Sequence, residues 1–162
     1  MNTFLVDINK CTGCMVCVLE CSFFHEKAYS RSRSRIQIKR NEEKELSIPL
    51  ICEQCDFREC VSACILGALV YDNSLNIPIV DEEACVGCGA CAKACSFKAI
   101  HLDPTMRKAI VCDLCDGDPT CVKVCLPGAI RYKPVNNRVL GCKAKAMDAK
   151  LKALKQEFEG DE

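Results

Sequence analysis

The 162-residue chain has no tryptophan, and aromatic residues make up only 6% of it. Hydrophobic residues reach 49%, but about 38% remains once cysteine is set aside, a thin supply for one apolar core of this length. A large conventional core is therefore excluded, and a chain stripped of metal is expected to be largely unfolded. No apolar run approaches the length of a transmembrane helix, so no membrane span is expected. Residues 1–10 lack the basic region and long apolar run of a secretory signal, which points to a cytoplasmic protein rather than a disulfide scaffold. No nucleophile–base set, phosphate loop or substrate motif is present, so the chain is not expected to be an enzyme.

Cysteine is what the chain has in excess, with 17 residues. Cys85, Cys88, Cys91 and Cys95 form the C-x2-C-x2-C-x3-C run of bacterial ferredoxins, which holds a [4Fe–4S] cluster. Three thiolates must converge on one face of a cubane, and Gly87 and Gly89 allow the tight curl this needs. A helix starting after the third cysteine turns the fourth away, so the fourth normally ligates a different cluster. Related runs are Cys11, Cys14, Cys17, Cys21; then Cys52, Cys55, Cys60, Cys64; then Cys112, Cys115, Cys121, Cys125. Only Cys142 is left over, and it reads as an inert thiol at the start of the tail. Structural zinc uses isolated C-x2-C pairs between longer fingers, so a zinc-binding interaction module is the rival of another class. Four [4Fe–4S] clusters are therefore the expected cofactors. With their thiolates they would bring the formally neutral chain to roughly −8, against a nucleic-acid partner.

The runs repeat in the order A-B-A′-B′. Val6-Asp7-Ile8-Asn9-Lys10-Cys11 answers Val80-Asp81-Glu82-Glu83-Ala84-Cys85, and Ile51-Cys52-Glu53-Gln54-Cys55-Asp56 answers Val111-Cys112-Asp113-Leu114-Cys115-Asp116. Gly67-Ala68-Leu69-Val70-Tyr71 likewise matches Gly128-Ala129-Ile130-Arg131-Tyr132. The pattern predicts a strand over 4–8 and a helical turn from Cys17 to about His25. It also predicts hairpins over 35–51, 68–80 and 99–111. Met147, Leu151, Leu154 and Phe158 form one stripe of an amphipathic helix with lysines around the rest. The expected fold is α+β, a duplicated bacterial-type ferredoxin over 1–140, with repeats at about 4–72 and 78–133, followed by a helical tail over 141–162.

The A-B-A′-B′ order resembles the four-cluster iron–sulfur subunits of molybdopterin and tungstopterin oxidoreductases. So do Cys21-Ser22-Phe23-Phe24-His25, Ser32-Arg33-Ser34-Arg35-Ile36 and the stretch from Cys112-Asp113-Leu114-Cys115 to Cys121. The short form looks most like the small subunits of aldehyde oxidoreductase-type tungsten enzymes, including tungsten benzoyl-CoA reductases. It is also similar to the iron–sulfur partners of carbon monoxide dehydrogenase and hydrogenase. The resemblance implies ligation by Cys11, Cys14, Cys17 with Cys125, and by Cys112, Cys115, Cys121 with Cys21. It implies a central pair of Cys52, Cys55, Cys60 with Cys95, and Cys85, Cys88, Cys91 with Cys64. It further implies electron transfer between a tungsten- or molybdenum-pterin catalytic subunit and another carrier or subunit, with a free polyferredoxin as the nearer alternative.

One departure is that the family's proline after each fourth cysteine is replaced by Ser22, Ile65, Ser96 or Leu126. Each restores an N–H that could bond a cluster sulfur, although an N–H facing elsewhere is the plainer reading. His25 and His101 read as packing or surface residues, and the arginines of 30–35 as partners for acidic groups here or on another chain. The tail stripe fits its own domain or a partner's groove equally well, with a solvated lysine face.

Overall fold

The computed structural model describes residues 2–158. Its two halves open in the same way. Asp7 and Asp81 each turn the chain into a cysteine run, with Oδ1 accepting from the N–H two residues on, at 3.2 Å from Asn9 and 2.9 Å from Glu83. Their own N–H groups donate to Ala129 O at 2.8 Å and Ala68 O at 2.7 Å, which are matching positions of the repeat. The duplication is thus written in the backbone bonding, and the fold is a duplicated α+β ferredoxin-like one of small sheets and short helices.

The elements follow in order. β1 (Asn2–Val6) leads through a 3-10 turn (Ile8–Lys10) to α1 (Val16–Glu26). β2 (Gln37–Asn41) and β3 (Leu46–Leu50) form a hairpin before α2 (Glu59–Ser62). β4 (Leu69–Asp72) and β5 (Ile77–Val80) precede α3 (Ala90–Ala94). β6 (His101–Leu102) and β7 (Ala109–Ile110) precede α4 (Thr120–Lys123), β8 (Ile130–Pro134) and α5 (Asn137–Phe158). Among the described residues the strands pair antiparallel in four two-stranded sheets: β1–β8, β2–β3, β4–β5 and β6–β7. Asx turns close two hairpins, with Asp72 Oδ1 accepting from Ser74 and Leu75, and Asp103 Oδ1 from Thr105 and Met106.

The three predicted hairpins are present, each shorter than its hydrophobic run. The β1–β8 pair is not a hairpin and was not foreseen. It joins the two ends of the ferredoxin unit in register, Phe4 opposite Tyr132 with ring centroids 5.3 Å apart. The repeat held the signal, because β8 stands to β1 as β4 stands to β5.

The apolar interior is divided. Phe4, Val6, Val18, Ile36, Ile77 and Leu114 pack with cysteines of the first and last runs. Leu69, Ile100 and Val111 pack around Cys85 and Cys91. A third cluster joins Ile8, Ile48 and Leu50 to Ala153 and Leu154 of α5. The tail therefore folds back on its own domain. It is further tied by Glu157, which accepts from Asn41 Nδ2 at 2.7 Å and Lys44 Nζ at 3.0 Å. Met147 and Leu151 instead line an open groove of 690 Å³ with Phe57 and Leu140. The side chain of Phe158 and residues 159–162 lie outside the described residues. The lysine face is not simply solvated, since Lys143 and Lys150 are buried.

Candidate functional site: four thiol groups in sequence

All four runs share one loop geometry. The residue two after the first cysteine is left-handed in each: Gly13 (φ 67°), Gln54 (φ 50°), Gly87 (φ 66°) and Leu114 (φ 62°). At Gly87 glycine is obligatory on space alone, since a Cβ would lie 1.6 Å from Arg107 O. Gln54 and Leu114 accept the same conformation with side chains, and burial stabilises both. Leu114 is fully enclosed, while Gln54 Oε1 accepts from Phe4 N at 2.9 Å and Nε2 donates to Leu75 O at 3.1 Å. Two loops are also held by a cation from the hairpin that follows, Arg40 on Gly13 O and Lys108 on Cys85 O.

The structure does not bear out the expectation of four [4Fe–4S] clusters. The cysteines are spread along the molecule rather than gathered into tight four-sulfur sites. Among the described residues, the one group of ligating atoms within 4.8 Å of one another is His25, Asp113 and Cys115. The loops hold the thiols of each run apart, and burial together with mutual repulsion opposes closer approach of their charged forms. The same openness argues against tetrahedral zinc, whose Zn–S bonds of about 2.3 Å would draw four sulfurs to about 3.8 Å.

At longer, electrostatic range each thiol still has definite neighbours. Burial pushes Cys17 up to about 12, and Cys11, Cys125 and Cys14 push it the same way. Burial also raises Cys52 to about 12 and Cys60 to about 11, with Cys95 the first charged neighbour of each. Cys91 is raised by burial and then by Cys64 and Cys85, while a backbone N–H lowers it. Burial raises Cys121, with Cys21, Cys115 and Cys17 adding to it. Cys112 lies well above the ordinary thiol value through burial, then Cys52 and Cys121. The fourth cysteine of each run thus stands with another run: Cys125 with the first, Cys21 with the fourth, Cys95 with the second and Cys64 with the third. Cys88 and Cys14 are exposed. Cys142, on α5, is exposed.

The groups also adjoin one another. Cys17 reaches Cys121, and Cys112 reaches Cys52. α1 also packs on α4, and α2 packs on α3, which joins the one remaining pair, the second and third runs. The order is first, fourth, second, third. The thiols that burial raises, among them Cys17, Cys52, Cys60 and Cys112, need a bound cationic centre to ionise at neutral pH. An all-thiol donor set suits iron–sulfur chemistry, and backbone donors already point at several of the sulfurs. Ala99 N donates to Cys95 Sγ and Ile130 N to Cys125 Sγ, both at 3.4 Å. Leu126 N donates instead to Val124 O at 3.0 Å, so there the N–H restored by the missing proline faces away from sulfur.

Several side chains were under-read from sequence. His25 is not a simple packing residue: its Nε2 lies 3.4 Å from Asp113 Oδ1 and 3.8 Å from Cys115 Sγ. Burial and Arg35 pull its pKa below the ordinary imidazole value. Arg33 pairs with Glu26 and Asp103, and Arg35 with Asp113, so these arginines find acidic partners within the chain. His101 is half-buried, with an unpartnered Nε2.

The family model of a 4Fe-4S binding domain matches residues 78–101, the third run. The chain is 36% identical to the polyferredoxin-like subunit of an aliphatic sulfonate oxidoreductase from Pyrococcus furiosus, over 75% of this chain and 69% of that one. An uncharacterized ferredoxin of Methanocaldococcus jannaschii is 33% identical over 91% of this chain and 82% of its own. Other relatives are longer: the chain spans 54% of a tetrathionate reductase component from Archaeoglobus fulgidus, at 33% identity over 70% of this chain. Among solved structures, a chain of the active-site complex BamBC of benzoyl coenzyme A reductase with 1,5-dienoyl-CoA has the same fold. Its TM-score is 0.50 at 24% identity, over 99% of this chain and 93% of that one. The polyferredoxin-like subunit, the ferredoxins and an electron-transport protein among the relatives are in keeping with a non-catalytic role. By its repeated cysteine loops and these similarities, the chain belongs to the polyferredoxin-like ferredoxins.

Proposed function

We propose that this chain carries single electrons through iron–sulfur groups bound by its cysteines. It would pass them between the catalytic subunit of a molybdenum- or tungsten-pterin oxidoreductase and a further carrier or subunit. The observation that supports this most is the unbroken order of adjoining thiol groups, ending in exposed Cys14 at one end and exposed Cys88 at the other. Such an order gives an electron short steps between a partner at each end. The proposed ligand sets are Cys11, Cys14, Cys17 with Cys125; Cys112, Cys115, Cys121 with Cys21; Cys52, Cys55, Cys60 with Cys95; and Cys85, Cys88, Cys91 with Cys64. Iron and acid-labile sulfide per chain would count the occupied sets.

A bound iron–sulfur group supplies one-electron redox chemistry, and the chain's own residues do the rest. The left-handed loops orient the thiols, and the divided core excludes water from the inner groups. Ala99 N and Ile130 N would neutralise part of the charge on Cys95 and Cys125, raising the potential where they act. Beside Cys88 the exposed apolar Ile65, Leu66 and Val86 offer a dockable rim.

Anaerobic affinity purification from the native organism tests the reading. The expected result is a stable complex whose largest component contains molybdenum or tungsten. Elution of the reducible protein alone would instead make it a free ferredoxin. The likeness to the M. jannaschii ferredoxin over most of both chains favours that second reading.

A further inference from the structure

The tail helix places two cations beneath the second cysteine run. Lys150 is wholly buried and paired with Glu53, which is itself 2% exposed, so that pair is neutral. Lys143, two turns earlier on the same helix, is 8% exposed. Its Nζ donates to Thr3 Oγ1 at 2.5 Å and to Gln54 O at 3.5 Å, both neutral oxygens. Among the described residues it makes no ion pair with a carboxylate. An ammonium enclosed without a counter-charge is strongly disfavoured. The negative groups that act on it are Glu53, Cys52, Asp56 and Cys55. Glu53 is already matched by Lys150, and Asp56 is exposed. That leaves the thiols of the second run, one of which adjoins the backbone carbonyl that Lys143 touches.

As metal ligands those thiols are thiolates. Lys143 touches the carbonyl of Gln54, which lies between Cys52 and Cys55 in the chain, and it lines one groove with Cys55. The lone cation gains a counter-charge when a bound metal centre ionises the thiols and leaves the whole group net negative. We propose that Lys143 is a positioning residue whose fixed charge favours the reduced form of the iron–sulfur group held by Cys52, Cys55 and Cys60. This rests on the iron–sulfur reading above. In the step concerned one electron arrives from a one-electron donor, no covalent bond forms or breaks, and Lys143 keeps its proton. The added negative charge lies within reach of a buried cation, so the reduced state is stabilised more than the oxidised one.

Anaerobic redox titration of the full-length protein, followed by EPR, tests this with Lys143→Met, Lys143→Arg and Lys152→Met. Lys152 sits on the same helix with its side chain 71% exposed and serves as the control. For Lys143→Met we expect parental iron content and one centre whose reduction equilibrium moves about tenfold toward the oxidised form, about 59 mV for one electron. Lys143→Arg should restore most of that shift, and Lys152→Met should leave every centre in place. Parental iron with no shifted centre in Lys143→Met would overturn the proposal. If Lys143→Met loses iron, retention in Lys143→Arg supports the charge role, and loss in both reduces Lys143 to a packing residue. A parent protein without iron and sulfide would sink the functional reading itself, a separate and recognisable outcome.

Discussion

Breaking the Lys150–Glu53 pair should unseat the tail helix. Lys150 is 0% and Glu53 2% exposed, so both charges are removed from water and each depends on the other. Lys150 also lies 5.6 Å from the ring centroid of Phe97, itself buried, which adds a smaller attraction. Removing one partner leaves a buried charge uncompensated, at a cost of about 3–5 kcal/mol. For a chain of this size that corresponds to a fall in Tm of roughly 6–20 °C. The exposed Lys152–Asp148 pair on the same helix, one turn apart at 2.8 Å, is the comparison and is worth only about 0.3–0.5 kcal/mol. Lys150→Met and Glu53→Gln should each show the large loss, and hydrogen exchange should quicken first in 137–158. The double variant should recover most of it, because two neutral side chains need no partner. Single variants no worse than Lys152→Met, or a double variant as damaged as the sum of the singles, would refute the buried-pair argument.

Gly87→Ala should abolish iron retention by the third run, measured as metal content, because its Cβ would meet Arg107 O at 1.6 Å. Gly67→Ala, equally left-handed but with nothing within 4 Å, should cost only about 1–2 kcal/mol and keep its metal. His101 is held neutral by burial, its pKa below the ordinary value of 6.5. Its stabilising contribution is therefore present above about pH 6.5 and lost as pH falls through the lowered folded value. A plot of Tm against pH should show an acid-side decline that His101→Phe flattens; an unchanged slope would remove His101 as its source. Deleting residues 143–162 should lower thermal stability and disturb the second run, because it removes Lys143, Lys150 and the contacts of Leu154. Parental Tm in that truncation would show that the tail contributes nothing to its own domain.

The thiol groups were legible because ligand spacing is local and the repeat doubled every signal. Which runs exchange their fourth cysteine came only from the family resemblance; in the structure α2 packs beside α3, which sets Cys95 near the second run and Cys64 near the third. Closure of the unit by β1 and β8 lay in the same repeat but required comparing Ile130–Tyr132 with Leu69–Tyr71 as strands rather than as a shared tail. The four-cluster count did not survive, because spacing specifies which thiols can curl together and says nothing of how far apart the folded loops hold them. The buried lysines were hidden for a different reason. On a lysine-rich helix the period marks the apolar stripe, whereas Lys143 and Lys150 depend on Thr3, Glu53 and Gln54, some 90–140 residues away. His25 was misjudged likewise, since its partners Asp113 and Cys115 come from the other half of the repeat.

Whether the cysteines of this chain carry electrons on iron and sulfide is tested most directly on anaerobically purified protein. Iron, zinc and acid-labile sulfide are measured, and the visible spectrum is followed during stepwise reduction. The expected result is brown protein, iron and sulfide in equal amounts, and an absorption that bleaches on reduction and returns on oxidation. Colourless protein holding zinc without sulfide, or iron that does not cycle, would contradict electron transfer by this chain.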